Sequence, residues 1–269
     1  MGGESWVILN PIEQSIKAKI EAVGTPLKDW DINIYRGILT GYNKAFIIDG
    51  KKKEELIAED PKSAEIIRPI LRGRDIKRYG YDFADLWLIN THNGIKEKDI
   101  TPIKIDDYPA IKKHLDEFYP QLEKRADKGE TPYNLRNCAY MEDFSKQKIV
   151  WGNLNLKAAY AIAPEGVFVN APCPMIVPAT EYLLAILNSK LADYYIRKLG
   201  VTRNGGYFEY KPMFIEQLPV PIISESEQRK IGHMVIKDIS KLKSEKLIDE
   251  SIYELYNLTS EETDFLRSL

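Results

Sequence analysis

Residues 66–80, IIRPILRGRDIKRYG, set Arg68, Arg72, Arg74, Lys77 and Arg78 against a single acid, Asp75. Guanidinium and ammonium groups at this density suit phosphate, because Arg and Lys contacts to the backbone fix a protein's position on a nucleic acid. Arg72, Arg74, Lys77 and Arg78 are therefore candidate phosphate contacts, with Gly73 allowing close backbone approach. The alternative is an internal ion pair of Arg74 with Asp75 beside a buried Ile70, Leu71 and Ile76. A second basic stretch, 186–212, carries Lys190, Arg197, Lys198, Arg203 and Lys211 against Asp193 and Glu209, and Lys190 joins the phosphate candidates.

Reading a base edge needs different side chains: Arg suits guanine, and Asn or Gln suits adenine. On segments that read as loops, the candidates are Tyr42, Asn43 and Lys44, then Arg136 and Asn137 in YNLRNC, and Arg203 and Asn204 in VTRNGGYF. Each can equally be a turn former or a solvated side chain. Trp87, Trp151, Tyr194 and Tyr195 can stack on bases, yet their places inside apolar patterns favour core packing.

Catalytic patterns are missing. Cys138 in NLRNCAY and Cys173 in APCPM sit in no context that lowers a thiol pKa and read as structural. TRNGGYF and RGILTGYNKAF hold glycines but lack the Gly-x-x-x-x-Gly-Lys-Ser/Thr spacing of a phosphate cradle. ILNPIEQ matches only the first two positions of the Asn/Asp-Pro-Pro-aromatic turn used to hold a flipped base, and Pro11 with Glu13 is explained by helix initiation. His92, His114 and His233 are too scattered to ligate a metal. No catalytic residue, metal or cofactor is assigned to these residues.

With 269 residues, 44% of them hydrophobic, and a formal charge of -2, attraction to a polyanion must come from local patches. The residues from Ser224 onward are the acidic part, with 7 basic against 10 acidic side chains. Two cysteines, no apolar run of membrane length and no leader pattern indicate a reducing cytoplasm and no membrane partner. The N-terminus MGGESWVILN reads as an engineered boundary or as a cut through a longer polypeptide.

These side chains must be placed by a mixed set of elements. Asn10, Pro11 and Glu13 predict a helix start, with Ile12, Ile16, Ile20 and Val23 on one face. NIYRGILTGYNKAFIID predicts a hairpin turning at Thr40–Asn43; LWLIN and KIVWG read as buried strands. YPAIKKHLDEFYPQLEK predicts a helix divided at Pro120, with His114 on its solvated side. TEYLLAILNSKLADYYIRKLG reads as one long helix. Beyond Pro219–Ser224, a capping box of Ser224 and Glu227 opens a helix with an Ile231, Val235 or Ile236, and Ile239 seam; a second box, Thr259 and Glu262, opens another. The fold class is α+β, a mixed sheet with flanking helices over 1–222 and a helical tail over 223–269.

Read in order, IYRGILTGYNKAFIID, IIRPILRGRDIKRYG, LINTH, YPAIKKHLDEF, LEKRADKGETPYNLRNCAY, FSKQKIVW, YLLAILNSKL, FIEQLPVPII and LIDESIYELYNLTSEE resemble the TaqI-like C-terminal specificity domain of restriction-modification enzymes. That resemblance, from about Trp6 to Leu269, implies a non-catalytic domain that grips double-stranded DNA and reads its sequence. It further implies a separate N-terminal methyltransferase domain as partner, which binds S-adenosylmethionine and methylates adenine. The LNS, LPVPII and EQRKI pattern is also similar to specificity subunits with a spacer helix. The competing reading is a protein-interaction module that uses the amphipathic seam of the tail and whose basic stretches are ion-paired. A self-contained enzyme is disfavoured by the missing motifs.

Overall fold

Asn10 opens α1 (Pro11–Val23): its side chain accepts from Glu13 N at 2.8 Å, and Glu13 Oε2 accepts from Asn10 N at 3.1 Å. These reciprocal bonds satisfy donors that a helix start leaves over, and Pro11 has no N–H to lose there. A computed structural model describes the backbone of residues 10–237 and 242–269, and the side chains outside 236–244.

After β1 (Thr25–Pro26) and β2 (Asn33–Arg36) come α2 (Asn43–Phe46), β3 (Ile47–Asp49) and α3 (Gly50–Glu59). The predicted hairpin does not form, because β2 and β3 belong to different sheets. Between them Thr40 Oγ1 donates to Asn43 Oδ1 at 2.6 Å and accepts from Tyr42 N at 3.2 Å. This local side-chain turn diverts the backbone into α2.

The chain continues through β4 (Ile67–Leu71), β5 (Ile76–Lys77), β6 (Gly80–Tyr81), β7 (Leu86–Ile89), α4 (Pro109–Asp116) and α5 (Tyr119–Lys124). Pro120 divides the α4–α5 pattern as the sequence predicts. His114 is not solvated: it is buried with Nε2 2.9 Å from Ala45 O, because α4 packs that face on α2.

Next come β8 (Lys148–Trp151), β9 (Leu154–Asn155), β10 (Tyr160–Ala163), β11 (Phe168–Val169), β12 (Pro174–Val177), α6 (Glu181–Asn188) and α7 (Lys190–Lys198). The single helix expected from Thr180 to Leu199 is broken at Ser189, whose backbone is extended and whose hydroxyl accepts from Ala192 N at 3.1 Å to cap α7. Asn188 accounts for the break. Its amide pairs with both backbone groups of Tyr160, at 2.9 Å each, as a neighbouring strand would. The chain then runs through β13 (Phe208–Glu209), α8 (Pro212–Ile215), β14 (Pro219–Val220), α9 (Glu225–Lys237), α10 (Leu242–Leu255) and α11 (Ser260–Ser268).

Two compact units result. One comprises Met1–Ile32, Leu154–Tyr160 and Thr180–Leu269; the other comprises Asn33–Asn153 and Ala161–Ala179. The second unit is built on two four-stranded sheets, ordered β10-β8-β12-β2 and β11-β4-β7-β3. In the first, β12 runs antiparallel to both β2 and β8; in the second, β11 is parallel to β4 and β7 is antiparallel to both β4 and β3. Phe46, Ile70, Leu71, Leu88, Leu115, Phe144, Val150 and Met175 fill its core. The fold is α+β.

In the first unit α6 packs on α9, where Ile231 and Val235 are buried; Ile236 and Ile239 of the same seam fall outside the described side chains. The helical segment set off after 222 thus shares a unit with α1 and α6, and the described part of its seam is covered by its own chain. Both capping boxes form: Glu227 Oε2 accepts from Ser224 N at 3.1 Å, and Glu262 Oε2 from Thr259 N at 2.7 Å. Trp151 is fully buried and Tyr195 is nearly so, as core packing requires.

Candidate nucleic-acid interface

In the second unit several strands of the two sheets come together at one end. Gly37 N donates to Cys173 O at 2.7 Å, Ile38 N to Val169 O at 2.8 Å, Ala171 N to Ile38 O at 3.0 Å and Asn170 N to Leu71 O at 2.9 Å. The 170–173 segment is therefore held between the loop that leaves β2 and the loop that leaves β4. Backbone pairing alone brings Arg36 and Arg72, distant in sequence, to the same end of the fold.

Within the 66–80 stretch the cations have different roles. Arg72 Nη2 donates to Asp75 Oδ1 at 2.8 Å and Arg72 Nε to Asp75 Oδ2 at 3.0 Å, while Arg72 N also donates to Oδ2 at 2.8 Å. Burial works to raise the Asp75 carboxyl, but the Arg72 guanidinium and N–H outweigh it and hold the group below its usual range. The internal ion pair expected of Arg74 thus belongs to Arg72, for a geometric reason: the tight turn at Gly73–Asp75 folds the carboxylate back onto the residue that precedes it. Arg74 is exposed and has no ion pair among the described residues. Lys77 is also exposed, its ammonium donating to Arg74 O at 2.7 Å. Arg78 lies with its guanidinium carbon 5.4 Å from the Tyr79 ring centroid. Gly73 does permit a close approach, but to Cys173: a Cβ there would sit 3.2 Å from Sγ.

The first two groups of base-reading candidates come together beside this end. Tyr42 packs its ring 6.0 Å from Phe118, Asn43 takes the Thr40 hydroxyl bond, and Lys44 is exposed. Arg136 Nη1 lies 3.2 Å from Asp127 Oδ1 with half its side chain exposed, and Asn137 Oδ1 accepts from Asn93 Nδ2. Arg36, Leu39, Arg136, Asn137 and Tyr140 line a shallow cleft. Its wall is rigid, since Tyr140 OH donates to Arg36 O at 3.0 Å and the Tyr35 and Tyr140 rings stack at 4.2 Å.

Sequence reasoning missed Arg36 and Arg125. Arg36 stands at the last position of a strand and is exposed; its signal was the Tyr-Arg-Gly step where the β pattern stops. Arg125 is buried, and a lone Arg in a charged segment carries no such signal.

The remaining candidates lie in the first unit. Lys190 donates from Nζ to Arg267 O at 3.0 Å, near the end of α11, and from its backbone N to Asp249 at 3.0 Å, so it ties helices together. Arg203 Nη2 pairs with Glu209 Oε1 at 2.6 Å yet keeps 60% of its side chain exposed. Asn204 is exposed at the tip of a loop whose Gly205 and Gly206 have φ of 76° and 82°.

Neither cysteine is an activated nucleophile. Burial pushes both Cys138 and Cys173 up to about 11, the opposite of an activated thiol. Asn10 is committed to its helix cap, and no cluster able to hold a metal occurs among the described residues. No described helix is long and apolar enough to cross a membrane. What the joined strand ends offer is exposed Arg36 and Arg74 on either side of the 170–173 segment, with Arg36 lining one cleft together with Arg136.

The family model of the TaqI-like C-terminal specificity domain matches residues 68–220. The Type II methyltransferase M.MjaIV of Methanocaldococcus jannaschii is 26% identical over 226 residues, covering 79% of this chain and 72% of that protein. Among solved structures, the type IIL restriction-modification enzyme MmeI in complex with DNA superposes with a TM-score of 0.68 at 12% identity, over 91% of this chain and 36% of that one. The type IIG restriction endonuclease BpuSI gives 0.54 at 15% identity, over 91% and 32%. The chain spans about a third of the length of either enzyme, and both likenesses are of fold. Strand-end loops bearing cations and the family match over residues 68–220 lead to one assignment: the chain belongs to the TaqI-like C-terminal specificity domains, the target-recognition domains of restriction-modification enzymes.

Proposed function

We propose that the chain reads a specific site on double-stranded DNA for a restriction-modification adenine-N6 methyltransferase, and is not itself catalytic. The observation that supports it best is the hydrogen-bonded junction of the β2, β4 and β11 ends, which brings exposed Arg36, at the end of β2, toward the turn that carries exposed Arg74 and leads to Lys77, while Arg36 shares a cleft with Arg136 and Asn137. Arg74 and Lys77 serve as phosphate contacts, and Arg136 with Asn137 presents base-reading groups from an adjacent rigid cleft. Arg72 fixes the loop that carries them.

The methyl donor, S-adenosylmethionine, belongs to a methyltransferase domain that partners this chain. The one partial match to a base-holding turn, Asn10-Pro11, is used up in the α1 cap, so the holding of the target base is also assigned to that other domain. The target adenine, flipped from the duplex, reaches that other domain while these loops hold the flanking sequence.

The experiment is equilibrium binding of the chain to labelled duplexes across a salt series. Affinity is expected to fall steeply as salt rises and to differ between sequences. Binding that ignores salt and sequence would refute the reading.

A further inference from the structure

Arg125, immediately after α5, is 8% exposed, and its guanidinium is shared between two loops. Nη1 donates to Thr40 O; Nη2 donates to Asn134 O at 2.6 Å and to Pro132 O at 3.0 Å. The cation also lies over the Phe46 ring, with its central carbon 4.5 Å from the centroid. Among the described residues no carboxylate forms an ion pair with it. Burying a guanidinium is costly, and burial pushes its pKa down to about 10 although the Asp127 carboxylate works to raise it.

The two loops it joins are those that carry candidate base-reading groups, Tyr42–Lys44 on one side and Arg136–Asn137 on the other. A second contact keeps them close. Gly41 has a φ of +68°, and a Cβ there would lie 2.9 Å from Asp127 Cβ, while Asp127 in turn pairs with Arg136. The turn after Thr40 and the 127–137 segment are thereby held at one spacing by a planar cation and a missing methyl group.

We propose that Arg125 is a positioning residue for specificity, locking the 40–44 turn and the 131–137 loop into one surface that meets adjacent bases of the duplex. This rests on the DNA-reading function proposed above. An ammonium cannot donate to three carbonyls in two loops with the planar fork of a guanidinium. Arg125→Lys keeps the charge, so attraction to phosphate is retained while the loops are released from one another.

The test begins with selection from a randomised duplex library by the wild-type chain, followed by dissociation constants for the selected and a scrambled duplex. Arg125→Lys is expected to bind the scrambled duplex as the wild type does, with the same salt slope, and to lose discrimination by about tenfold, the scale of one base pair's reading. Gly41→Ala is expected to lose discrimination similarly, and decides the matter if Arg125→Lys does not fold. Glu262→Gln, a destabilising change in the other unit, is expected to keep wild-type discrimination. Undiminished discrimination in a folded Arg125→Lys and in Gly41→Ala would overturn the proposal, as would an equal loss in Glu262→Gln. A wild-type chain that selects no site would overturn the DNA reading itself and the proposal with it.

Discussion

Arg72 and Asp75 form a two-pronged ion pair, Nη2 to Oδ1 at 2.8 Å and Nε to Oδ2 at 3.0 Å, while Arg74 between them stays exposed without an ion pair among the described residues. A dense basic stretch is thus divided into a structural half and a half available to phosphate. Asp75 is 5% exposed, so its charge depends on Arg72. Arg72→Ala is expected to lower the unfolding free energy by about 2 kcal/mol, through loss of a largely buried pair. Arg74→Ala is expected to leave denaturant unfolding unchanged. It should weaken binding to all duplexes alike and reduce the salt slope by about one. Unfolding curves and salt-dependent binding of the two variants separate the roles.

Arg136 and Asn137 are expected to influence sequence preference more than affinity. Asn137→Ala should relax the preference at one base pair by about 1–3 kcal/mol, measured as the ratio of dissociation constants on single-base-pair variants of the selected site. A uniform loss on every duplex would place Asn137 among the phosphate contacts.

Glu262 governs the acid limb of stability. Burial works against its charge, but bonds from Lys19, Ser15 and the Thr259 backbone hold its carboxyl down to about 2 from the usual 4.5. The lengths are 2.7 Å from Lys19 Nζ and 2.5 Å from Ser15 Oγ. A depressed carboxyl pKa stabilises the fold above its unfolded value, and that contribution is lost as pH falls from 4.5 toward 2. Glu262→Gln is expected to cost about 2–3 kcal/mol at pH 7 and to flatten unfolding free energy against pH in that window.

Lys148 governs the alkaline side, where stability again rises with pH. It is fully buried, donates to Val167 O at 2.8 Å and Pro164 O at 3.1 Å, and burial pushes its ammonium down to about 8 from 10.5. Between those values the unfolded chain holds a proton that the folded chain has released, so stability rises with pH across the window. The rise is expected to be about 2–3 kcal/mol, and Lys148→Met should abolish it in urea unfolding measured from pH 7.5 to 10.5.

Where local chemistry decides, the sequence was a sufficient guide. The α1 cap at Asn10 and Glu13, the boxes at Ser224–Glu227 and Thr259–Glu262, and the helix division at Pro120 all depend on residues within four positions of one another. Errors arose where a distant partner overrode local pattern. Ser189 breaks an apolar helical run because Asn188 is claimed by Tyr160, and His114 turns inward because Ala45 offers a carbonyl. The hairpin failed because β2 finds β12 and β3 finds β7, leaving the turn between them to Thr40 and Asn43. In the candidate site, Arg74 and Lys77 were visible as charge density. Arg36 and Arg125 were not, since their roles follow from backbone pairing and carbonyl positions that no spacing encodes.

Hydrogen–deuterium exchange of the chain with and without its selected duplex locates the reading surface in one experiment. Protection is expected in 36–44, 72–78 and 131–140, with little change in α3 and α4. Protection confined to the C-terminal helices, or none in those three loops at saturating duplex, would contradict the placement of DNA on the β2, β4 and β11 ends.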